Sequence, residues 1–187
     1  WRGGRIAARW LMSDDWTADF SVHYQDIDAD GFADVDPSTG DLTIAKFKPE
    51  TRTDEFIATS LVITGELDFA TLVVAGSYYD RDTLYQHDTQ TYAEYFNAFG
   101  WGYDWGEDAK GYLTNEQNND SKSLEVRLTG AGEKVDWTLG FFYSDLSETW
   151  DFKTYIDGFA ESTGFSNLTT YYGFDIPPSD IWWFSSQ

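Results

Sequence analysis

Hydrophobic and polar residues alternate along six stretches of the chain, which form three pairs. In the clearest pair, Leu124, Val126 and Leu128 alternate with charged and hydroxyl residues. After a glycine-rich turn over residues 130–134, the apolar positions resume at Val135, Trp137, Leu139, Phe141 and Tyr143. A period of two places alternate side chains on opposite faces of a sheet, and glycine supplies the backbone freedom that a tight turn needs. This stretch therefore predicts a β-hairpin with one apolar face.

Two further hairpins follow the same pattern. Residues 6–12 and 16–24 flank a polar turn, and residues 60–67 and 70–81 flank a turn near residues 65–69. The remaining stretches, 26–55, 82–121 and 146–187, do not alternate, and we expect long loops there. The sequence thus predicts an all-β, antiparallel segment of about six strands, with short turns at one end and long loops at the other. Outer-membrane β-barrels have this asymmetry as a rule.

The aromatic residues on the apolar face fit the same arrangement. Tryptophans lie beside the short turns and tyrosines lie where strands enter the long loops: Trp10, Trp16 and Trp137, against Tyr24, Tyr78 and Tyr143. The eight steps from Trp16 to Tyr24 along a tilted strand span about 19 Å of height. This is a fair match to the apolar band of about 25 Å that aromatic girdles flank in outer-membrane barrels. The alternative is that these rings fill the core of a soluble protein.

Composition excludes several classes of function. The chain of 187 residues has 12 basic and 33 acidic residues and a net charge of −21, which argues against nucleic acid and anionic membrane surfaces as partners. It contains no cysteine, so disulfides, thiol catalysis and cysteine-based metal sites are excluded. Its two histidines, His23 and His87, are too few and too far apart to argue for haem or zinc. No arrangement of catalytic residues is convincing, and we expect no enzyme.

The third hairpin resembles the barrel region of TonB-dependent outer-membrane receptors. Residues 123–129 (S-L-E-V-R-L-T) and 135–143 (V-D-W-T-L-G-F-F-Y) are similar to the family's S-x-E-x-R-L-T-S, short turn, W-x-x-G-x-F-Y. Residues 70–81 resemble the preceding strand, residues 35–42 resemble a loop of one branch, and residues 185–187 look like the start of the next strand. The resemblance covers most of the chain, although each motif is degenerate.

The resemblance implies a receptor in the outer membrane of a Gram-negative bacterium. It implies a barrel of about 22 strands closed by a plug, in contact with membrane lipid. Such a receptor takes up a ferric siderophore or another scarce nutrient and is energised by the TonB complex through the plug. This sequence contains no plug, TonB box or terminal barrel strand. We therefore expect residues 1–187 to be a partial barrel domain of a longer protein.

An acidic stretch suggests a calcium loop. Carboxylates follow the spacing D-x-D-x-D-G-x-x-D of an EF-hand loop, although Pro37 stands where a bidentate glutamate belongs. The candidate ligands are Asp26, Asp28, Asp30, Asp34 and Asp36. The flanking residues predict strand and loop rather than two helices. A solvated acidic loop without metal is the favoured alternative.

Two other groups of residues are candidates for binding. An aromatic loop offers ring faces for a sugar or an aryl siderophore group at Trp101, Tyr103 and Trp105. Packing of that loop on its neighbours is the favoured alternative. On the polar face, we expect charged residues to point into the lumen and pack against the plug: Arg5, Arg9, Glu125 and Arg127.

Two other classes of protein remain open. One is a secreted, soluble β-sandwich that binds carbohydrate, with or without calcium, and the other is a passive porin. In a sandwich, Leu124, Val126, Leu139 and Phe141 would contact a second sheet, whereas in a barrel they would form an exposed apolar belt. A plug encoded upstream would separate a receptor from a porin.

Overall fold

The fold is an antiparallel β-sheet, and the expected all-β class is confirmed. The computed structural model describes residues 1–98, 110–157 and 181–186, with side chains for 1–95 and 110–157. Each strand hydrogen-bonds the next in chain order. The strands are β1 (Arg2–Leu11), β2 (Trp16–Asp30), β3 (Thr51–Leu67), β4 (Ala70–Asp88), β5 (Gly111–Ala131), β6 (Asp136–Ile156) and β7 (Ile181–Ser186), and helix α1 is Gln90–Ala98.

The three predicted hairpins are confirmed. They are β1–β2, β3–β4 and β5–β6, and residues 12–15, 68–69 and 132–135 connect their strands. The first turn is closed by the Met12 amide, which donates to the Trp16 carbonyl at 2.9 Å, and the third by the Gly132 amide, which donates to the Val135 carbonyl at 3.1 Å.

The register of the sheet separates an apolar face from a polar face. In β1–β2, Ile6 lies opposite Val22, while Arg9 lies opposite Asp19. Hydroxyl groups also pair across the polar face, with Ser21 Oγ and Ser60 Oγ 2.9 Å apart and Ser77 Oγ and Ser123 Oγ 2.7 Å apart. The alternation read from the sequence therefore corresponds to the two faces of one sheet.

The expected long loops are shorter than predicted, because the strands run on into them. Strand β2 continues to Asp30, β4 continues to Asp88 and β6 continues to Ile156. In the extension of β2, aspartates occupy the face that was apolar, and the extensions of β4 and β6 mix polar and apolar residues, so the pattern that marked each strand stops. The backbone ladder persists because main-chain hydrogen bonding does not depend on side-chain type. Strand β7 brings the count to seven, where about six were expected.

Helix α1 lies in a stretch that the sequence analysis assigned to a loop. Its first turn is held by Asp88, whose Oδ1 accepts from the Gln90 amide at 2.8 Å. Its packing side includes Ala93, which is 2% exposed and lies against Gly111. In the described ranges, no helix combines the length and apolar character required to cross a membrane.

The chain divides into two compact units. Unit 1 comprises Trp1–Ile27, Asp54–Asp82 and Asn118–Glu148, and unit 2 comprises Asp28–Thr53, Thr83–Gln117 and Thr149–Gln187. Strands β2 to β6 contribute residues to both. The three short turns belong to unit 1, and the connection between β2 and β3 belongs to unit 2.

Candidate functional site

On the apolar face of unit 1, the side chains of the edge strands β1 and β6 are exposed. Ile6, Leu139 and Phe141 expose 70%, 68% and 60% of their surface. Leu124 is also exposed and Val126 is half-buried. Among the described side chains, only three hydrophobic residues are fully buried, and none of them is aromatic: Ala70, Ala93 and Ile156. No second sheet covers this face within the described part of the chain.

The polar face of unit 1 carries the four charged residues expected there: Arg5, Arg9, Glu125 and Arg127. Arg9 makes a bidentate ion pair with Asp19, with Nε to Oδ1 at 2.6 Å and Nη2 to Oδ2 at 2.9 Å. Arg127 Nη1 lies 3.3 Å from Glu125 Oε1 on the same strand. Both pairs are largely exposed, so each contributes little to stability.

A partly buried ion pair on the same sheet was not identified from the sequence. Arg81 donates to Asp54 through Nε at 2.8 Å and Nη2 at 2.6 Å. Asp54 is only 3% exposed, whereas the Arg81 side chain is 40% exposed. Nearby, the Phe56 ring contacts His23 edge-on at 5.2 Å between centroids and lies 5.9 Å from Tyr79. The two partners of the ion pair are 27 residues apart, and no local motif links them.

Unit 2 contains a compact group of charged residues, which we call the loop cluster: Asp34, Lys46, Glu50 and His87. Strand β2 ends at Asp30, and Gly31 turns the chain with a φ of 86°, a conformation that favours glycine. The Gly31 amide donates to the Glu50 carbonyl at 2.7 Å, which closes the loop immediately before β3 begins. His87 lies near the end of β4 and completes the cluster.

Lys46 lies at the centre of the loop cluster. Its Nζ is 2.7 Å from Asp34 Oδ2 and 2.9 Å from Glu50 Oε1. His87 Nε2 lies 3.2 Å from the same Glu50 oxygen. Glu50 is 7% exposed, so this carboxylate is held away from water by partners on three sides.

Neighbouring groups fix the cluster's geometry. The Asp88 amide donates to Glu50 Oε1 at 3.0 Å, which positions the carboxylate through the backbone of β4. The Phe32 ring meets the His87 imidazole edge-on, at 4.8 Å between centroids. Asp34 Oδ1 is buried and has no hydrogen-bond partner within the described structure. In the cluster, Asp34 Oδ1 is thus an acceptor without a partner, while the Lys46 ammonium occupies the position of a cation.

The ion pairs shift the titration of two cluster members. The hydrogen bond from Lys46 lowers the pKa of Asp34 below its usual value of 3.8. Desolvation acts to lower the pKa of Lys46, but hydrogen bonds to Asp34 and Glu50 outweigh it and raise the pKa above 10.5. Both groups are therefore charged throughout the physiological range.

The structure corrects the placement of the proposed calcium ligands. Asp26, Asp28 and Asp30 lie on β2 rather than in a loop. Successive same-face residues of a strand are about 6.6 Å apart, so their carboxylates do not converge as in an EF-hand loop. Asp36 accepts from the amide and hydroxyl of Ser38 in a local turn, which also lowers the pKa of Asp36. Only Asp34 of the five joins the loop cluster.

The other proposed ligand-binding residues lie outside the described part of the chain: Trp101, Tyr103 and Trp105. The sequence analysis also placed His87 in a loop, whereas it belongs to β4. Lys46 and Glu50 are four positions apart, but His87 lies 37 positions beyond Glu50 and reaches it only because β3 pairs with β4. No local motif therefore marked the cluster.

Comparison with known proteins does not assign the chain. No protein-family model matches it. No curated protein matches it either.

Proposed function

We propose that this chain is part of a transmembrane β-barrel in the outer membrane of a Gram-negative bacterium. We further propose that the barrel belongs to a TonB-energised receptor that takes up a ferric siderophore or another scarce nutrient. The membrane part of the proposal rests on the sheet of unit 1. The receptor part rests on the resemblance of the third hairpin to that family.

The exposed apolar face of unit 1 carries the proposal. Removing a large aliphatic or aromatic side chain from water stabilises a protein by about 1.5–3 kcal/mol. Ile6, Leu139 and Phe141 would lose that contribution if water were their environment. Hydrocarbon supplies it, and the polar groups of the opposite face then line an interior. A sandwich would require a second sheet over Leu139 and Phe141, and the described residues provide none.

The strand lengths of unit 1 support the same proposal. A membrane-crossing β-strand needs about 9–11 residues. The portions of β1 to β6 within unit 1 are ten to fourteen residues long. Each is long enough to cross a bilayer once. A bilayer also requires backbone groups to be hydrogen-bonded to neighbouring strands, and each strand from β1 to β6 pairs with the next one in chain order.

The tyrosines at the far ends of these strands also fit a membrane interface. The Tyr24 hydroxyl donates to Glu55 Oε1 at 2.9 Å, and the Tyr78 hydroxyl donates to Asp80 Oδ2 at 3.0 Å. Each tyrosine therefore combines an apolar ring with a hydroxyl that is hydrogen-bonded to a carboxylate. Aromatic side chains of this kind concentrate where hydrocarbon meets water.

In this proposal the polar face of unit 1 lines the route of the substrate and contacts a plug. Arg5 and the ion-paired Arg9, Glu125 and Arg127 would supply that lining. No step of the proposal requires bond chemistry, so the protein acts by binding and gated passage rather than as an enzyme.

Lipid contact is tested by a matched pair of substitutions on β6. Leu139→Arg places a charge on the apolar face, and Thr138→Arg places the same charge on the polar face. A charge at the bilayer midplane costs about 2–4 kcal/mol, so Leu139→Arg should weaken vesicle association about 30-fold or more. Thr138→Arg should leave association nearly unchanged. The readout is quenching of tryptophan fluorescence by brominated phosphatidylcholine vesicles.

Two results would contradict the membrane proposal. One is a wild-type chain that brominated lipid does not quench, and the other is an equal loss for both variants. The receptor part is tested separately on the complete reading frame. A plug with a TonB box encoded in frame supports it, whereas a barrel without a plug indicates a passive porin.

A further inference from the structure

We propose that the loop cluster is a binding site for a divalent transition-metal ion such as Zn²⁺, held by Asp34, Glu50 and His87, with the Lys46 ammonium occupying the cation position in the metal-free chain. The site belongs to unit 2, and the inference does not depend on the proposed membrane function.

The ligand geometry supports a metal site. One ligand atom from each of Asp34, Glu50 and His87 can be chosen so that all three lie within 4.8 Å of one another. Metal–ligand bonds of about 2.0–2.2 Å place neighbouring ligand atoms roughly 3.3–3.6 Å apart in a tetrahedral site. An inward shift of about 1 Å would therefore complete three protein ligands and leave a fourth position open. Asp34 and His87, whose side chains are 40% and 35% exposed, would make that shift, whereas Glu50 is buried and would stay in place.

The position of Lys46 identifies a focus for positive charge. Glu50 Oε1 lies within reach of three donors at once: the Lys46 ammonium, His87 Nε2 and the Asp88 amide. Asp34 Oδ2 meets the same ammonium. The two carboxylates and the lysine together carry a net charge of −1. A divalent ion in place of the lysine would bring that charge to zero.

An unused ligand atom is the second, independent observation. Asp34 Oδ1 is buried and lacks a hydrogen-bond partner in the described structure. A buried polar atom without a partner is costly, and a bound ion is one of the partners that account for such an atom. A metal ion bound by Asp34 would satisfy it.

The ligand types indicate which metals the site prefers. An imidazole nitrogen with two carboxylates suits Zn²⁺ and neighbouring divalent transition metals. Calcium binds through oxygen alone and takes six to eight oxygen ligands, which this cluster does not offer. The proposed site differs from the expected calcium loop in its metal and in its ligands, and Asp34 is the one residue common to both.

Calorimetric titration with Zn²⁺ on the refolded 187-residue chain tests the site. Loss of a residue that only supports a metal ligand weakens metal binding by about 10–100-fold. His87→Ala removes a direct ligand, so it should weaken Zn²⁺ binding by at least that much. Lys46→Met should tighten binding by about 3–30-fold, since the ammonium no longer competes with the metal for Asp34 and Glu50. A merely structural role for Lys46 would not produce tighter binding.

Matched controls separate the site from general effects. His23→Ala removes the other histidine, and Lys48→Met removes a neighbouring lysine whose side chain lies over the Tyr112 ring rather than in the cluster. Both should retain wild-type affinity. Circular dichroism verifies that each variant folds, and if His87→Ala does not fold, the comparison of Lys46→Met with Lys48→Met still decides.

Three results would overturn the proposal. They are the absence of Zn²⁺ binding in both wild type and Lys46→Met, weaker binding after Lys46→Met, and Ca²⁺ binding as tight as Zn²⁺ binding.

Discussion

Substitution of Gly65 by alanine should destabilise the sheet because a tryptophan ring lies directly on that glycine. A Cβ atom at Gly65 would lie 2.6 Å from Trp16 Cη2, 2.7 Å from Cζ3 and 2.8 Å from Cζ2. Three atoms of one rigid ring are involved, so a small rotation of a flexible chain end cannot relieve the overlap. Tryptophan packed over a glycine of the neighbouring strand is a known device that shields the bare backbone.

The size of the effect follows from these distances. Carbon atoms pack at about 3.5–4.0 Å, so the ring must move away by roughly 0.9 Å. Introducing a methyl group into such a contact costs about 1–3 kcal/mol. The backbone at Gly65 accepts alanine, because Gly65 does not have a positive φ; within the described chain only Gly31 and Gly40 are glycines of that kind. We therefore expect a net loss of about 1–2 kcal/mol once the smaller unfolded-state benefit of alanine is included.

Gly76 provides the matched control on the adjacent strand. Its Cβ would meet only the Ser123 carbonyl oxygen at 3.9 Å, an ordinary contact. Gly76→Ala should stabilise the chain by about 0.4–1 kcal/mol through the unfolded state. Urea unfolding of the refolded chain in detergent micelles, followed by far-ultraviolet circular dichroism, would measure both changes.

The contact itself is tested by removing the ring. In a Trp16→Ala background, Gly65→Ala should no longer destabilise and should behave as Gly76→Ala does. If Gly65→Ala costs the same with and without Trp16, or if it stabilises the wild-type chain, the reasoning from ring overlap is wrong.

Two further predictions concern charged groups. Asp54→Ala should lower the free energy of unfolding by about 1–3 kcal/mol in the same urea assay, because it removes the carboxylate partner of the partly buried Arg81 guanidinium. A change below about 0.5 kcal/mol would contradict the importance of this pair. For the loop cluster, the lowered pKa of Asp34 means that its contribution is present above its unfolded value of 3.8 and is lost as pH falls through the lower folded value. The raised pKa of Lys46 means that its contribution is present below 10.5 and is lost as pH rises through the higher folded value. The Lys46–Asp34 pair should thus be constant from about pH 5 to pH 9.5, and an Asp34 carboxyl midpoint at or above 3.8 in an NMR titration would refute this.

The sequence alone determined the hairpins of unit 1. Leu139 and Phe141 alternate with Thr138 and Gly140 because one face of β6 is apolar and the other is polar. Where the two faces differ, the period of two is visible in the sequence and the short turns punctuate it. The fold class, the three hairpins and the polar-face placement of Arg9 all follow from that pattern.

Only the tertiary structure decided where the strands end and which charged residues meet. Asp26 and Asp28 read as a loop because aspartates replace the apolar residues on their face of β2 there, so the apolar pattern that marked the strand stops. Glu50 and His87 are 37 positions apart, and they meet because β3 and β4 pair with a particular register. A local spacing motif can report only residues that the chain itself holds close together. Contacts made by strand pairing depend on register, which the whole sheet fixes.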